Sequence, residues 1–355
     1  MADTPARVLT ARQLAATADS IEALQKPSGM IPWFEGGHAD PWNHVEAAMA
    51  LAAAGRLQAA ERAYEWLAAT QLPSGAWHAY YGYDGSVEDA RMDTNVSAYV
   101  ATGLWHHRLA TGSSSLLEGM WGVVEKAVGF ALRWQQPGGE LLWSVDADGT
   151  PGRYALLTGS SSAFFSLRCA VACAEALGLE RPQWELAIGR LRHAISYRPD
   201  RFEPKHRYAM DWYYPVLSGA LDERRGSARI DERWAELVMD GHGVRCVSDE
   251  PWVTVAETAE CAMALCILQR GAEAERLLSW CQEQRQPDGS YTTGLVYPER
   301  QTFPVDETST YSAAAMLLAV DLLDRASSAS GLFLGAGLPF GLDLDPASEA
   351  IEEPA

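Results

Sequence analysis

The sequence predicts an all-α protein: a single α6/α6 barrel (toroid) of six helical hairpins, with short β-hairpins in its loops. Three observations carry this expectation. One turn grammar recurs along the chain, helix starts fall at a regular spacing, and strand signals are few.

The turn grammar is clearest at Gln71-Leu72-Pro73-Ser74-Gly75-Ala76-Trp77, which closes a helical run from Arg62 to Thr70. Weaker copies read Gln25-Lys26-Pro27-Ser28-Gly29 leading to Trp33, Gln136-Pro137-Gly138-Gly139 leading to Trp143, and Gln286-Pro287-Asp288-Gly289 leading to Tyr291. Pro stops the helix and Gly supplies the positive-φ turn position. The aromatic packs beneath a neighbouring helix end, and Gln bonds the orphan carbonyls there.

Residues 6–25 read as an amphipathic helix ending at the first copy. Asp40-Pro41 is an N-cap followed by Pro at the first helical position, opening helices at about 41–54 and 56–70. Asp93 opens a helix to about 111, and Ser115 with Glu118 forms a capping box for the next, to Trp134. Thr158 and Pro182 start two more, and Pro215 should kink a helix over 206–220. Helices follow over 227–239, 255–270 (Thr254 and Glu257 as capping box), 272–285 and 307–325. Alternate helices thus begin near 40, 93, 158, 206, 254 and 306, the period of stacked hairpins. Short hairpins fit 77–85 and 290–297. The barrel is expected over residues 1–326. Residues 327–355 form a Gly/Ser-rich, then acidic tail, whose apolar LFLGAGLPFGLDL stretch would fold back and whose end beyond Asp345 would be disordered.

A formal charge of −19, from 28 basic and 47 acidic residues, argues against nucleic-acid backbones and anionic membrane surfaces. It leaves a small-molecule substrate in a central cavity, with a basic protein chain as a further partner for the acidic surface. No apolar run reaches membrane-span length, no secretory leader is visible, and the six cysteines show no paired framework, so the expectation is a cytoplasmic protein with reduced thiols.

Gln71, Gly75 and Trp77 fit the Gln-xxx-Gly-x-Trp repeat, and in this the chain resembles the terpene cyclase and protein prenyltransferase superfamily, with the repeats spanning residues 25–291. The resemblance implies an α/α toroid around a central cavity. It also implies an enzyme working on an isoprenoid or other small substrate. The chain carries neither an Asp-x-Asp-Asp acid nor an Asp-Asp-x-x-Asp metal motif. Asp146-Ala147-Asp148 reads as a turn beside Gly149, and His106-His107 as a helix end.

In such a barrel the inner helices point their N-termini at one mouth, so residues there are the site candidates. The expected acid–base carboxylates are Asp93, Asp211, Glu257 and Asp306, with helix capping as the alternative for Asp93, Glu257 and Asp306. Asp211 stands out, because a carboxylate between Met210 and Trp212 in an apolar helix is costly unless paired or functional. The expected substrate contacts are Trp33, Glu35, His38, Trp42, His44, Tyr83, Asn95, Trp212, Tyr213, Trp252, Glu307 and Tyr311. Packing in the core is the alternative for the aromatics. Asn43, Tyr80, Thr94, Glu260 and Thr310 lie at the same helix ends.

No cofactor is predicted. The one metal candidate, of zinc type, is the loosely spaced set His242, Cys246 and Asp249, as implied by the prenyltransferase resemblance; magnesium has no motif. Two other readings stand beside the leading one. A carbohydrate-active hydrolase or epimerase on the same barrel would use the 13 tryptophans to stack on sugars. A non-catalytic binding scaffold is the third.

Overall fold

A computed structural model describes residues 8–342. In chain order the elements are α1 (Ala11–Leu24), α2 (Pro41–Ala53), α3 (Leu57–Thr70), β1 (Tyr80–Tyr81), β2 (Val87–Asp89), β3 (Met92–Asp93), α4 (Thr94–Ala98), α5 (Val100–Thr111), α6 (Ser115–Leu132) and β4 (Ser144–Val145). There follow α7 (Leu157–Ala176), α8 (Pro182–Tyr197), α9 (Ala209–Leu217), α10 (Glu223–Leu237), β5 (Val238–Met239), β6 (Gly243–Val244), β7 (Trp252–Thr254), α11 (Val255–Ile267), α12 (Gly271–Trp280), β8 (Gly294–Val296), β9 (Gln301–Thr302) and α13 (Thr310–Asp324).

The inner ring runs α2, α4–α5, α7, α9, α11, α13, and α13 packs back on α2 to close it. Helices α3, α6, α8, α10, α12 and α1 form the outer ring, each against its inner partner. The expected α6/α6 toroid is present. The inner helices are buried on nearly every side and rich in small residues, as in Ala47, Ala48, Ala50 and Ala52 of α2 and Ala313, Ala314 and Ala315 of α13. Small side chains let six backbones converge on one axis. The outer helices bury one stripe only, such as Ala59, Ala63, Tyr64 and Leu67 of α3.

The turn grammar proves to be a seam between outer helices, in a register one residue from the expected one at two copies. Gln25, Gln71 and Gln135 each donate through Nε2 to the Gly carbonyl four residues on and to a carbonyl of the next outer helix: Ala59 at 2.8 Å, Val123 at 2.9 Å and Ala187 at 2.9 Å. In the fourth copy Arg285 takes the slot and donates to Gln13 O at 3.1 Å. Gln136 and Gln286 bond only their own turns. The glycines at φ +94, +97, +98 and +98 (Gly29, Gly75, Gly139, Gly289) lie so close to the backbones of Arg62, Lys126, Arg190 and Ala16 that a Cβ would overlap them. The buried residue two places on is Ile31, Trp77, Leu141 or Tyr291. Trp33 and Trp143, expected in that slot, lie two residues further along and face the cavity instead.

The helix starts differ in detail. Asp40 caps α2 as expected, accepting from Trp42 N at 2.8 Å and Asn43 N at 3.0 Å. Asp93 makes no cap bond, and neither does Ser114 at the start of α6, so the Ser115–Glu118 box does not form. Thr254 Oγ1 donates to the Glu257 carboxylate rather than capping α11. Ser309, not Asp306, caps α13, because Asp306 sits at φ +55 on an exposed loop.

The tail folds back as far as it is described. Leu332, Phe333 and Leu338 are buried at the barrel base, Phe333 stacks on Phe165 of α7 at 5.5 Å, and Arg168 Nε donates to Pro339 O at 2.8 Å. The expected disorder beyond Asp345 lies outside the described residues, as do the first seven residues. All six cysteines are free thiols, and no described helix is long and apolar enough to cross a membrane.

Candidate functional site

The loops that precede the inner helices gather at one end and enclose an open cavity of about 440 Å³. Its walls are largely aromatic: Trp33, Trp42, Tyr80, Trp143, Tyr154, Tyr208 and Tyr311. Three carboxylates reach it from three inner-helix starts, Asp40, Asp93 and Asp211, and Lys205 is the single cation among its lining residues.

Asp40 is saturated. Beyond its two cap bonds, Oδ2 accepts from Asn43 Nδ2 at 2.6 Å and from Trp33 Nε1, which orients that indole beside Tyr311, ring centres 6.0 Å apart. Burial pushes its pKa above the usual carboxylate range, against these donors. Asp93 closes β3, paired to Ser144 of β4, and so stands next to Trp143. Arg91 Nε donates to it at 3.1 Å while the guanidinium covers the Trp143 ring, and Trp143 stacks on Tyr154. Burial outweighs Arg91, and the Asp93 pKa rises to about 6. Asp211 lies in the first turn of α9. Its Oδ1 is buried without a partner, and burial raises its pKa, opposed first by Arg229. Arg229 spends its donors on the Asp211 and Trp212 carbonyls, at 2.7 and 2.8 Å. Asn95 Oδ1 is a second buried acceptor without a partner. Two orphaned acceptors on one cavity wall suit a ligand rich in hydroxyl donors.

Of the residues singled out in the sequence, the cavity brings together Asp93, Asp211, Trp33, Trp42, Asn43, Tyr80, Asn95 and Tyr311. His38 backs the wall, its ring 5.0 Å from Trp33 and 4.8 Å from Tyr80. The others lie elsewhere. His44 is a core residue whose Nδ1 accepts from Ile31 N and whose Nε2 pairs with Ala63 O; burial lowers its pKa to about 4. Trp212 points outward and donates to Arg229 O. Tyr213 is buried below the cavity, on Glu260. Glu35 and Tyr83 bond each other on the surface at 2.7 Å. Trp252 donates to Phe303 O, Glu307 accepts from Thr293 Oγ1, Glu257 sits by Thr254, and Asp306 is exposed. The β7–β8–β9 sheet and the loop to α13 carry this group away from the cavity lining.

The zinc-type set comes apart. His242 packs against Tyr297 with the rings tilted, Asp249 pairs with Arg207 at 2.6 Å, and Cys246 is partly buried near Glu257. Among the described residues, no group of three His, Cys, Asp or Glu side chains could hold an ion.

Sequence reasoning missed Trp143, Tyr154, Lys205 and Tyr208, which sit in loops that only the fold brings inward. It also passed over Glu46. Glu46 stands inside an apolar helix, the signal that marked Asp211, and could have been found the same way.

No protein-family model matches the chain. Among solved structures, a glycosidase aligns with a TM-score of 0.72 at 15% identity, covering 90% of this chain and all of its own. A sugar epimerase from a ruminal bacterium aligns with a TM-score of 0.67 at 11% identity, over 89% of this chain and 99% of its own. These likenesses show the toroid fold alone. A curated relative from Mycolicibacterium hassiacum, MMP endo-(1,4)-3-O-methyl-alpha-D-mannosidase, is 48% identical over 336 residues, which is 95% of this chain and 93% of that protein.

That relative overturns the expectation of a terpene cyclase or prenyltransferase function. The Gln-Gly-Trp grammar behind it is a packing device, since its side chains hold helix ends together and none of Gln71, Gly75 and Trp77 lines the cavity. With one cation in its lining, the cavity is also poorly equipped to grip a diphosphate. Near-complete coverage at this identity settles the kinship: the chain belongs to the family of the MMP endo-(1,4)-3-O-methyl-alpha-D-mannosidase.

Proposed function

We propose that this protein is a glycoside hydrolase that cleaves α-1,4 bonds between mannose units, 3-O-methylated ones among them, inside its central cavity. The observation that carries the reading is the full-length likeness to the mannosidase. The cavity supports it chemically. Trp and Tyr faces stack on the apolar faces of sugar rings and on methyl ethers, while Asn95 Oδ1 and Asp211 Oδ1 accept from hydroxyls.

Hydrolysis needs one carboxyl that carries a proton and one that does not. Asp93, with its pKa near 6, gives its proton to the departing glycosidic oxygen as the C–O bond breaks. Asp211 faces Arg229, His206 and Arg233, whose charges oppose the rise that burial causes, and its free Oδ1 takes a proton from the attacking water. Asp40 holds Trp33 and the start of α2 in place.

The test is incubation with α-1,4-linked mannooligosaccharides, with and without 3-O-methyl groups, followed by mass spectrometry of the products. Shorter oligosaccharides with one new reducing end per bond cleaved are expected. Intact mannosides alongside turnover of another glycoside would sink the reading.

A further inference from the structure

Beneath the cavity floor lies a second chamber of about 20 Å³, room for roughly one water molecule. Two carboxylates line it, Glu46 of α2 and Glu260 of α11, on the inner helices that flank α13. They are 4% and 2% exposed. Every side-chain hydrogen bond they make goes to an aromatic residue. Glu46 Oε1 accepts from Tyr99 OH at 2.8 Å and from Trp42 Nε1 at 3.2 Å. Glu260 Oε1 accepts from Tyr311 OH at 2.8 Å and Tyr214 OH at 3.1 Å, and Oε2 accepts from Tyr213 OH. Trp42 and Tyr311 are also walls of the cavity above.

Packing alone does not call for two acids here. A buried carboxylate without a cation is costly, and the hydrogen bonds these two accept come from neutral Tyr and Trp side chains. Burial raises both pKa values, Glu46's to about 7, and the charge of Asp40 adds to the rise at Glu46 as that of Glu46 does at Glu260. The other titratable groups facing the pair are Asp40 at the N-cap of α2, Tyr99 between α4 and α5, Tyr213 and Tyr214 on α9, Glu257 on α11 and Tyr311 on α13. From α7 the chamber receives only Ser162 and Phe165.

We propose that Glu46 and Glu260 are positioning residues of the sugar site, fixing Trp42 and Tyr311 in its wall through the hydrogen bonds they accept from those two side chains. The assignment rests on the cavity being the sugar site. One end of each link is a ring that would touch sugar, and the other is an acid outside the cavity lining.

A double-mutant cycle between Glu260→Gln and Tyr311→Phe, read on KM and kcat for the methylated mannoside, tests the link. Each single variant should raise KM about three- to tenfold with kcat within about twofold, and the double variant should be no worse than the worse single. Losses that multiply, or singles within twofold of wild type, overturn the proposal. The cycle of Glu46→Gln with Trp42→Phe carries the same expectation and decides the matter if Glu260→Gln does not fold. A wild-type protein that leaves the mannoside intact defeats the functional reading instead. An optical readout then remains. Trp42 fluorescence, taken as wild type minus Trp42→Phe, should titrate near pH 7 with Glu46 and lose that transition in Glu46→Gln. Its absence from the wild type, or its survival in Glu46→Gln, overturns the proposal.

Discussion

Thr17 Oγ1 donates to the Gly289 carbonyl at 2.8 Å, joining residues 272 positions apart and tying the first outer helix to the turn after the last. Gly289 can take that place only because it has no side chain: its φ is +98 and a Cβ would meet the Ala16 carbonyl carbon at 2.5 Å. Gly289→Ala should therefore destabilise the protein by about 3 kcal/mol or more, because it adds a backbone clash to an unfavourable φ. Gly55→Ala, at φ +77 with nothing within 4 Å, should cost only about 1–2 kcal/mol. Urea midpoints of the two variants check the contrast.

Asp93→Asn and Asp211→Asn should each lower kcat on the mannoside by about 10²–10⁴-fold. Neither should lower the melting temperature, since each replaces a buried acid of raised pKa with a neutral isostere. Loss of activity together with loss of the folded signal would mean the acids serve the fold instead.

The pH dependence follows from Asp93. In the folded protein it keeps its proton up to about pH 6, against a usual 3.8. Between those values the folded state binds more protons than the unfolded one, so this residue's contribution to stability falls as pH rises from about 4 to 6 and then levels off. The full change is about 3 kcal/mol as an upper bound. Asp93→Asn should match wild type near pH 4 and exceed it in stability at pH 7–8, as read by urea unfolding at both pH values. In the wild type, kcat/KM should decline above about pH 6 as the acid loses its proton.

The fold was legible because a toroid repeats its grammar. Helix starts expected near 40, 93, 158, 206, 254 and 306 meet inner helices that begin at Pro41, Thr94, Leu157, Ala209, Val255 and Thr310. The register of the seam was not legible at Gln135-Gln136 or Arg285-Gln286, where adjacent polar residues differ only in which one reaches the next helix. Asp93, Asp211, Trp33, Trp42, Asn95 and Tyr311 were found by reasoning from helix N-termini. That reasoning fails for Glu257 and Asp306, because the β7–β8–β9 sheet stands at the entrance of α11 and Asp306 lies on the exposed loop before α13, leaving Tyr311 as that helix's contribution to the wall. The reaction was misread because the recognised motif records how outer helices join, while the candidate acids Asp93 and Asp211 stand at the starts of inner ones.

The returning tail should contribute measurably to stability. Phe333→Ala removes a buried ring stacked on Phe165 and should cost about 3 kcal/mol. Phe340→Ala, 71% exposed beside Arg168, should change stability by no more than about 0.5–1 kcal/mol. Equal losses from the two would show that the segment is held by something other than the Phe333 socket.

Phe333 has a wider consequence, because it lines the chamber below Glu46 and Glu260 and so stoppers the barrel at its base. The central space is then a cup, not a tube. A sugar chain bound there would enter and leave past the Trp and Tyr rim rather than thread through the base where Phe333 packs.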